Sequence, residues 1–140
     1  MTPSPKLVRD LMTTEVVTVE RNEKLLIADD VMRLGRIRHL PVVDDDGALA
    51  GIVSQRDLFH NGLLRALGYG THAQRRALDM VVVKEAMKTE VETIGPDTPL
   101  LDAARRMLEL KIGCLVVVDG GRIVGILTES DFVKLYASAP

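Results

Sequence analysis

The period of apolar and polar positions changes several times along the chain, and the order of those changes comes round twice. Residues 1–6 read as a loose arm with two prolines and nothing apolar to bury. Residues 7–12 then read as one short helical turn. Val16, Val17 and Val19 predict a short strand over 16–19. Leu25, Ala28, Val31 and Met32 recur at helical spacing, with Asn22 placed to cap that helix and Gly35 placed to stop it. Leu40-Pro41-Val42-Val43 predicts a buried strand, with Pro41 near its start or on an edge. Asp44-Asp45-Asp46-Gly47 predicts a hairpin turn, 49–53 the return strand, and 55–67 a helix. The pattern is weakest over 60–80, where Asn61-Gly62 and Gly68-Tyr69-Gly70 punctuate it. Within that connector, 72–78 predicts a short polar helix with Arg75 and Arg76 exposed.

From Val83 the pattern starts again. Val8-Arg9-Asp10-Leu11-Met12 matches Val83-Lys84-Glu85-Ala86-Met87. Val16-Val17-Thr18-Val19 matches Val91-Glu92-Thr93-Ile94, and Ala28 and Met32 match Ala103 and Met107. Leu40-Pro41-Val42-Val43-Asp44 matches Leu115-Val116-Val117-Val118-Asp119. The register shifts by one residue in the hairpin turn, after which 51–57 matches 125–131. Thr98 stands as the N-cap of the second long helix, with Pro99 at its first position. The expected fold class is α/β of the α+β kind. It is a tandem repeat of β-α-β-β-α units over 7–67 and 83–137, joined by a linker over 68–82. A unit of that size buries too little surface alone. Two units related by a pseudo-twofold axis, sheet against sheet, would solve this.

Composition narrows the classes further. The chain has 140 residues, 46% of them hydrophobic and only 3% aromatic, so the core must be built from Val, Leu, Ile, Met and Ala. Formal charge is −2 with acids and bases well mixed, which argues against a nucleic-acid binder with a basic face. A single cysteine, Cys114, excludes an intrachain disulfide. No apolar run approaches the roughly 18 residues of a membrane helix, and the first residues hold no stretch of signal-peptide type. The expectation is a soluble cytoplasmic protein.

The candidate chemistry sits in Gly51-Ile52-Val53-Ser54-Gln55-Arg56-Asp57 and its second copy, Gly125-Ile126-Leu127-Thr128-Glu129-Ser130-Asp131. Each reads as a strand ending in a hydroxyl residue, followed by a helix start with an aspartate. A helix start carries unpaired N–H groups and partial positive charge, which suits a phosphate. A carboxylate beside it suits a diol such as ribose. The competing explanation is a capping box, in which hydroxyl and acid satisfy the helix's own N–H groups. Two copies, each with a glycine at the same spacing, favour the ligand, because a cap needs no such glycine. Other residues read more simply. His60 and His72 lack metal-ligand spacing with each other or with Cys114. Cys114 has no base to activate it and reads as a small buried residue. The acids at 44–46 lack the later ligands of a calcium loop. No acid–base pair or nucleophile constellation suggests an enzyme.

Val-x-Asp/Glu-x-Met at each start, the Leu-Pro-Val-Val-Asp strand, and Gly-h-x-Ser/Thr-x-x-Asp at each strand-to-helix turn together resemble the CBS domain. That module is named after cystathionine β-synthase, and a tandem pair of them is called a Bateman module. The resemblance runs from about Val8 to Phe132. It implies a regulatory sensor that binds an adenosine-containing ligand (AMP, ADP, ATP or S-adenosylmethionine) in clefts between the repeats and acts on a partner protein. Carried over, one cleft would use Val16, Val17, Ile37, Arg38 and His39 for base and phosphate, with Thr128, Ser130 and Asp131 for ribose and phosphate. The other would use Val91, Ile112, Gly113 and Cys114 around the base, completed by Ser54, Arg56 and Asp57, with Lys88 nearby. Arg38, protonated His39 and Arg56 suit phosphate. Two departures make the clefts unequal: Gly113-Cys114 replace Arg38-His39, and Glu92 replaces Val17. The alternative is an interaction or dimerisation module whose clefts have lost their ligands. The family also implies a homodimer, for which Leu58, Leu63, Leu64 and Leu67 offer apolar surface.

Overall fold

The computed structural model describes residues 4–65 and 70–138, with the side chains of 61–74 left aside. Leu67, Gly68-Tyr69 and the first three residues of the arm lie outside the described residues, as do the side chains of Leu63, Leu64 and His72. In chain order the elements are α1 (Val8–Leu11), β1 (Val19–Glu20), α2 (Leu25–Gly35), β2 (His39–Val43), β3 (Leu49–Ser54), α3 (Gln55–Arg65) and α4 (Gly70–Asp79). They continue as α5 (Val83–Ala86), β4 (Thr93–Ile94), α6 (Leu100–Leu110), β5 (Cys114–Asp119), β6 (Arg122–Thr128) and α7 (Glu129–Ala137). The strands form two three-stranded sheets, β1-β2-β3 and β4-β5-β6. In each, the first pair is parallel and the second an antiparallel hairpin. The tandem β-α-β-β-α repeat is therefore the fold.

Compactness does not divide the chain where the repeats do. One compact unit is Val17–Glu90, and the other combines Met1–Val16 with Val91–Pro140. Each unit thus takes its lead-in turn from the other repeat. Val83 of α5 is buried with Val19, Leu25, Leu40, Val53 and Leu58. Val8 of α1 is buried with Ile94, Leu100, Ala103, Leu115 and Leu127. The segment read as a connector is also part of a core, since Leu78 and Val81 are buried in the first of these clusters. Arg75 of α4 is not a free surface residue as expected. It pairs with Asp29 at 3.6 Å and with Asp30 at 3.3 Å, both on α2.

The exchanged turns explain two corrections at helix starts. Neither Asn22 nor Thr98 is a cap. The N-cap positions are Lys24 and Pro99, and neither makes a side-chain capping bond. The first N–H of α2, on Leu25, donates to the Val81 carbonyl at 2.7 Å, and that of α6, on Leu100, to the Lys6 carbonyl at 2.8 Å. A backbone carbonyl just ahead of the exchanged turn thus does what a capping side chain would do. At the C-terminus of α2, Gly35 is the last helical residue. Arg36 takes the left-handed conformation at φ 52°, as Lys111 does after α6 at φ 55°. Ile37 N–H donates to the Met32 carbonyl at 3.1 Å, and Ile112 N–H to that of Met107 at 3.1 Å, which is the wider bond of a Schellman motif.

The strand expected over 16–19 is shorter than its β-branched residues suggest, as is its counterpart in the second repeat, and it starts one residue later than that counterpart because of Pro41. Pro41 lies mid-strand in β2, the central strand of its sheet, and not at an edge. In the second sheet the matching residue, Val116, donates its N–H to the Glu92 carbonyl at 3.1 Å, and pairing begins at Thr93↔Val116. Proline has no N–H to give. Pairing in the first sheet therefore begins one residue later, at Val19↔Val42.

Candidate functional site

Each hairpin hands its last residue directly to a helix. β3 ends at Ser54 and α3 starts at Gln55; β6 ends at Thr128 and α7 starts at Glu129. Asp57 Oδ2 accepts bonds from the Ser54 N–H at 2.8 Å and the Ser54 hydroxyl at 2.9 Å, while Ser54 Oγ accepts from the Asp57 N–H at 3.2 Å. Asp131 Oδ2 accepts from the Thr128 N–H at 2.9 Å and its hydroxyl at 3.4 Å. Asp131 Oδ1 accepts from the Thr13 hydroxyl at 3.2 Å. Asp131 is the buried acid of the chain, 8% exposed among the described residues. Both aspartates thus close capping boxes, and Asp131 also ties down a lead-in segment. A carboxylate has about four acceptor sites, and these bonds take up three at Asp131.

The paired glycines have a packing role that the sequence concealed. The Lys88 backbone exchanges two bonds of 2.9 Å with Ile52, and that of Thr13 exchanges two of 2.9 Å with Ile126. A methyl group on Gly51 would lie 2.7 Å from the Lys88 carbonyl oxygen and 2.7 Å from Met87 Sδ. One on Gly125 would lie 2.5 Å from Met12 Sδ. Glycine lets the lead-in segment close on the sheet, so the pairing of glycine with aspartate is not by itself a mark of a ligand.

The candidate residues gather by compact unit. In Val17–Glu90, His39 pairs with Ser54, and the Gln55 N–H donates to the Arg38 carbonyl at 2.8 Å. Ile37, Arg38 and His39 therefore share a sheet end with Ser54, Arg56 and Asp57, and Lys88 stands opposite Ile52 nearby. In the other unit Cys114 pairs with Thr128, and the Glu129 N–H donates to the Gly113 carbonyl at 3.1 Å. Ile112, Gly113 and Cys114 share that end with Thr128, Ser130 and Asp131. Val16 and Val17 fall on opposite sides of the division, and Val91 opens the second segment of the composite unit.

A family profile for the CBS domain matches residues 8–63 and 83–138. The chain belongs to the CBS-domain family. A CBS domain-containing protein of Dictyostelium discoideum is 33% identical over 130 residues, covering 92% of this chain and 90% of its own length. Two solved structures are 29% identical with a TM-score of 0.76. One is the CBS domain pair of protein MJ0100 with 5-methylthioadenosine and S-adenosylmethionine, covering 96% of this chain and 98% of that one. The other is CBSX2 with AMP, covering 95% and 97%. Three enzymes among the relatives, a homoserine O-acetyltransferase, an L-aspartate semialdehyde sulfurtransferase and an inosine-5'-monophosphate dehydrogenase, match the chain over 24%, 23% and 21% of their own length.

The two CBS repeats differ in where their charges stand. Arg36, Arg38 and Arg56 are exposed in the first repeat, and none is in an ion pair among the described residues. In the second, Gly113 and Cys114 replace Arg38 and His39, and Glu92 is held by Arg106 at 2.7 Å. Arg106 stands in no motif of the sequence. Its signal was a double exchange between repeats, in which Val17 and Val31 become Glu92 and Arg106. The acid at Glu92 is thus partly neutralised within its own unit. Burial, and secondarily the Asp131 charge, pushes the Cys114 thiol up to about 12, which leaves it without nucleophilic thiolate near neutral pH. Among the described residues no group of three or more His, Cys, Asp or Glu could hold a metal. No helix among them is long and apolar enough to cross a membrane. Asp44 Oδ1 accepts the Asp46 and Ala48 N–H groups at 2.9 and 3.0 Å, as a turn residue does.

Proposed function

We propose that this CBS pair is a regulatory module that binds an adenosine-containing ligand (AMP, ADP, ATP or S-adenosylmethionine) and transmits its occupancy to a partner protein. The observation that carries the reading is the set of uncommitted arginines at one sheet end. Arg9, Arg33, Arg75 and Arg106 are paired with acids, whereas Arg36, Arg38 and Arg56 are not; Arg21, Arg76, Arg105 and Arg122 are also unpaired among the described residues, but do not cluster at that sheet end. A guanidinium left free beside a helix start favours phosphate, because it donates two parallel bonds and the helix adds partial positive charge. The adenosine ligands of the related MJ0100 pair and CBSX2 support the same class. Within Val17–Glu90, Arg38 and His39 serve phosphate and Val17 and Ile37 the base; within the composite unit, Thr128 and Asp131 serve a ribose. Ile112 and Cys114 offer a second base surface, which has no arginine at the positions of Arg38 and Arg56 in its own repeat. We read the chain as a sensor and not a catalyst, and as a homodimer.

The structure moves the apolar surface behind the homodimer expectation. Leu58 is buried in its own unit, whereas Leu34, Leu108, Val133 and Tyr136 are exposed. Those residues, with the capping bonds of Asp57 and Asp131, favour the second reading, an interaction module with empty clefts. Ligand carried through purification separates the two. Heat-released supernatant should show adenine absorbance and a matching mass. Protein refolded from denaturant that then fails to bind any of the four ligands would leave the interaction module.

A further inference from the structure

Pro41 and Val116 hold the same place in the two repeats, and only Val116 has an N–H. Through it the Glu92 carbonyl is bonded at 3.1 Å, and the Glu92 side chain is held by Arg106. The matching carbonyl, on Val17, meets a proline. Among the described residues no hydrogen bond ends on it, and Val17 is 47% exposed. One strand lead-in is therefore closed through backbone and side chain alike, and the other is open through both.

A strand-end carbonyl without a donor is an unmet acceptor. It can take an N–H from a ligand, and it disfavours a ligand that presents a second acceptor there. We propose that Pro41 is a specificity-determining residue: it leaves the Val17 carbonyl free to accept a hydrogen bond from the exocyclic amino group of a 6-aminopurine. The Glu92 carbonyl, closed by Val116, does not read a base in this way. This inference rests on the adenosine reading and goes further by naming the atom that separates a 6-amino from a 6-oxo purine. AMP offers N–H at that position. IMP offers a carbonyl oxygen, which would face the Val17 oxygen with both acceptors unpaired.

The test is calorimetric titration of the whole chain with AMP and with IMP, for wild type and for Pro41→Val. Valine restores the N–H and is the residue that the second repeat carries. Wild type should favour AMP by about tenfold or more. In Pro41→Val that preference should collapse, and the residue 41 amide should be protected from hydrogen exchange as the Val17 bond forms. Equal wild-type affinities for AMP and IMP would overturn the inference and leave the adenosine reading intact. So would a folded Pro41→Val protein that keeps the preference, or one whose residue 41 amide exchanges freely. Wild type that binds none of AMP, ADP, ATP and S-adenosylmethionine would remove the adenosine reading and this inference together.

Discussion

Adding one methyl group at Gly51 or Gly125 should destabilise the protein, and by unequal amounts. At Gly51 the methyl would meet the Lys88 carbonyl oxygen at 2.7 Å and Met87 Sδ at 2.7 Å. That carbonyl is fixed, because Lys88 and Ile52 exchange two bonds of 2.9 Å. Moving it away sacrifices both. Overpacking costs about 1–3 kcal/mol, and two backbone bonds add roughly 1 kcal/mol each when lost. Gly51→Ala should therefore cost about 3–5 kcal/mol. At Gly125 the close atoms are Met12 Sδ at 2.5 Å and Cγ at 2.9 Å, with the Thr13 carbonyl at 3.1 Å. A methionine side chain can turn aside, so Gly125→Ala should cost about 1–2 kcal/mol. Double-mutant cycles sharpen the contrast. Met12→Ala should relieve most of the Gly125→Ala cost, giving a coupling of about 1 kcal/mol. Met87→Ala should relieve less of the Gly51→Ala cost, because the Lys88 oxygen stays in place. Urea unfolding followed by circular dichroism gives these differences. A Gly51→Ala protein within about 0.5 kcal/mol of wild type, or strict additivity of Gly125→Ala with Met12→Ala, would refute the reasoning.

Asp131→Ala should lower stability by about 1–3 kcal/mol, because it strips acceptors from the Thr128 N–H and the Thr13 hydroxyl. Adenosine-nucleotide affinity should also fall about tenfold if Asp131 holds a ribose; calorimetry showing unchanged affinity beside a lowered melting temperature would confine it to capping. Lys111→Gly should stabilise the protein by about 0.5–1 kcal/mol, since a left-handed residue at φ 55° is strained unless it is glycine; a lower urea midpoint would contradict this. The Cys114 thiol, pushed up from an ordinary value of 9.0 to about 12, is protonated more firmly in the folded state than in the unfolded one. Its contribution to stability is complete below the unfolded value and is lost as pH rises toward the folded one. Wild type should therefore lose more stability than Cys114→Ala between about pH 9 and pH 12; parallel pH profiles of the two would contradict the burial of the thiol.

What the sequence made legible was whatever depends on local period. The long helices, the two hairpins and the repeat follow from apolar spacing and turn residues, as at Leu25, Ala28 and Met32 or at Asp44 to Gly47. What it concealed came from contacts far apart in the chain. Asn22 and Thr98 look like caps, but the Val81 and Lys6 carbonyls already meet the helix N–H groups. Val16 and Val17 have strand propensity, yet neither repeat pairs those positions: the ladders start at Val19 and Thr93, and Pro41 delays the first by one residue. Gly51 and Gly125 looked like ligand glycines until Met87 and Met12 were seen against them. At the candidate site, the hydroxyl–aspartate turns were legible as a motif. Their pairing with 37–39 and 112–114 by strand register was not, because a register is set only when the hairpin closes. The Glu92–Arg106 pair was visible only as an exchange at two positions of the repeat.

The most direct measurement is calorimetric titration of refolded, ligand-free protein with adenosine, AMP and ATP, run beside Arg38→Ala. The sensor reading predicts saturable binding by wild type. It also predicts that Arg38→Ala weakens ATP and AMP by about tenfold while leaving adenosine nearly unchanged, because a guanidinium acts on the phosphate and not on the base. No saturable heat with any of these ligands or with S-adenosylmethionine, or an equal loss for adenosine and ATP in Arg38→Ala, would contradict it.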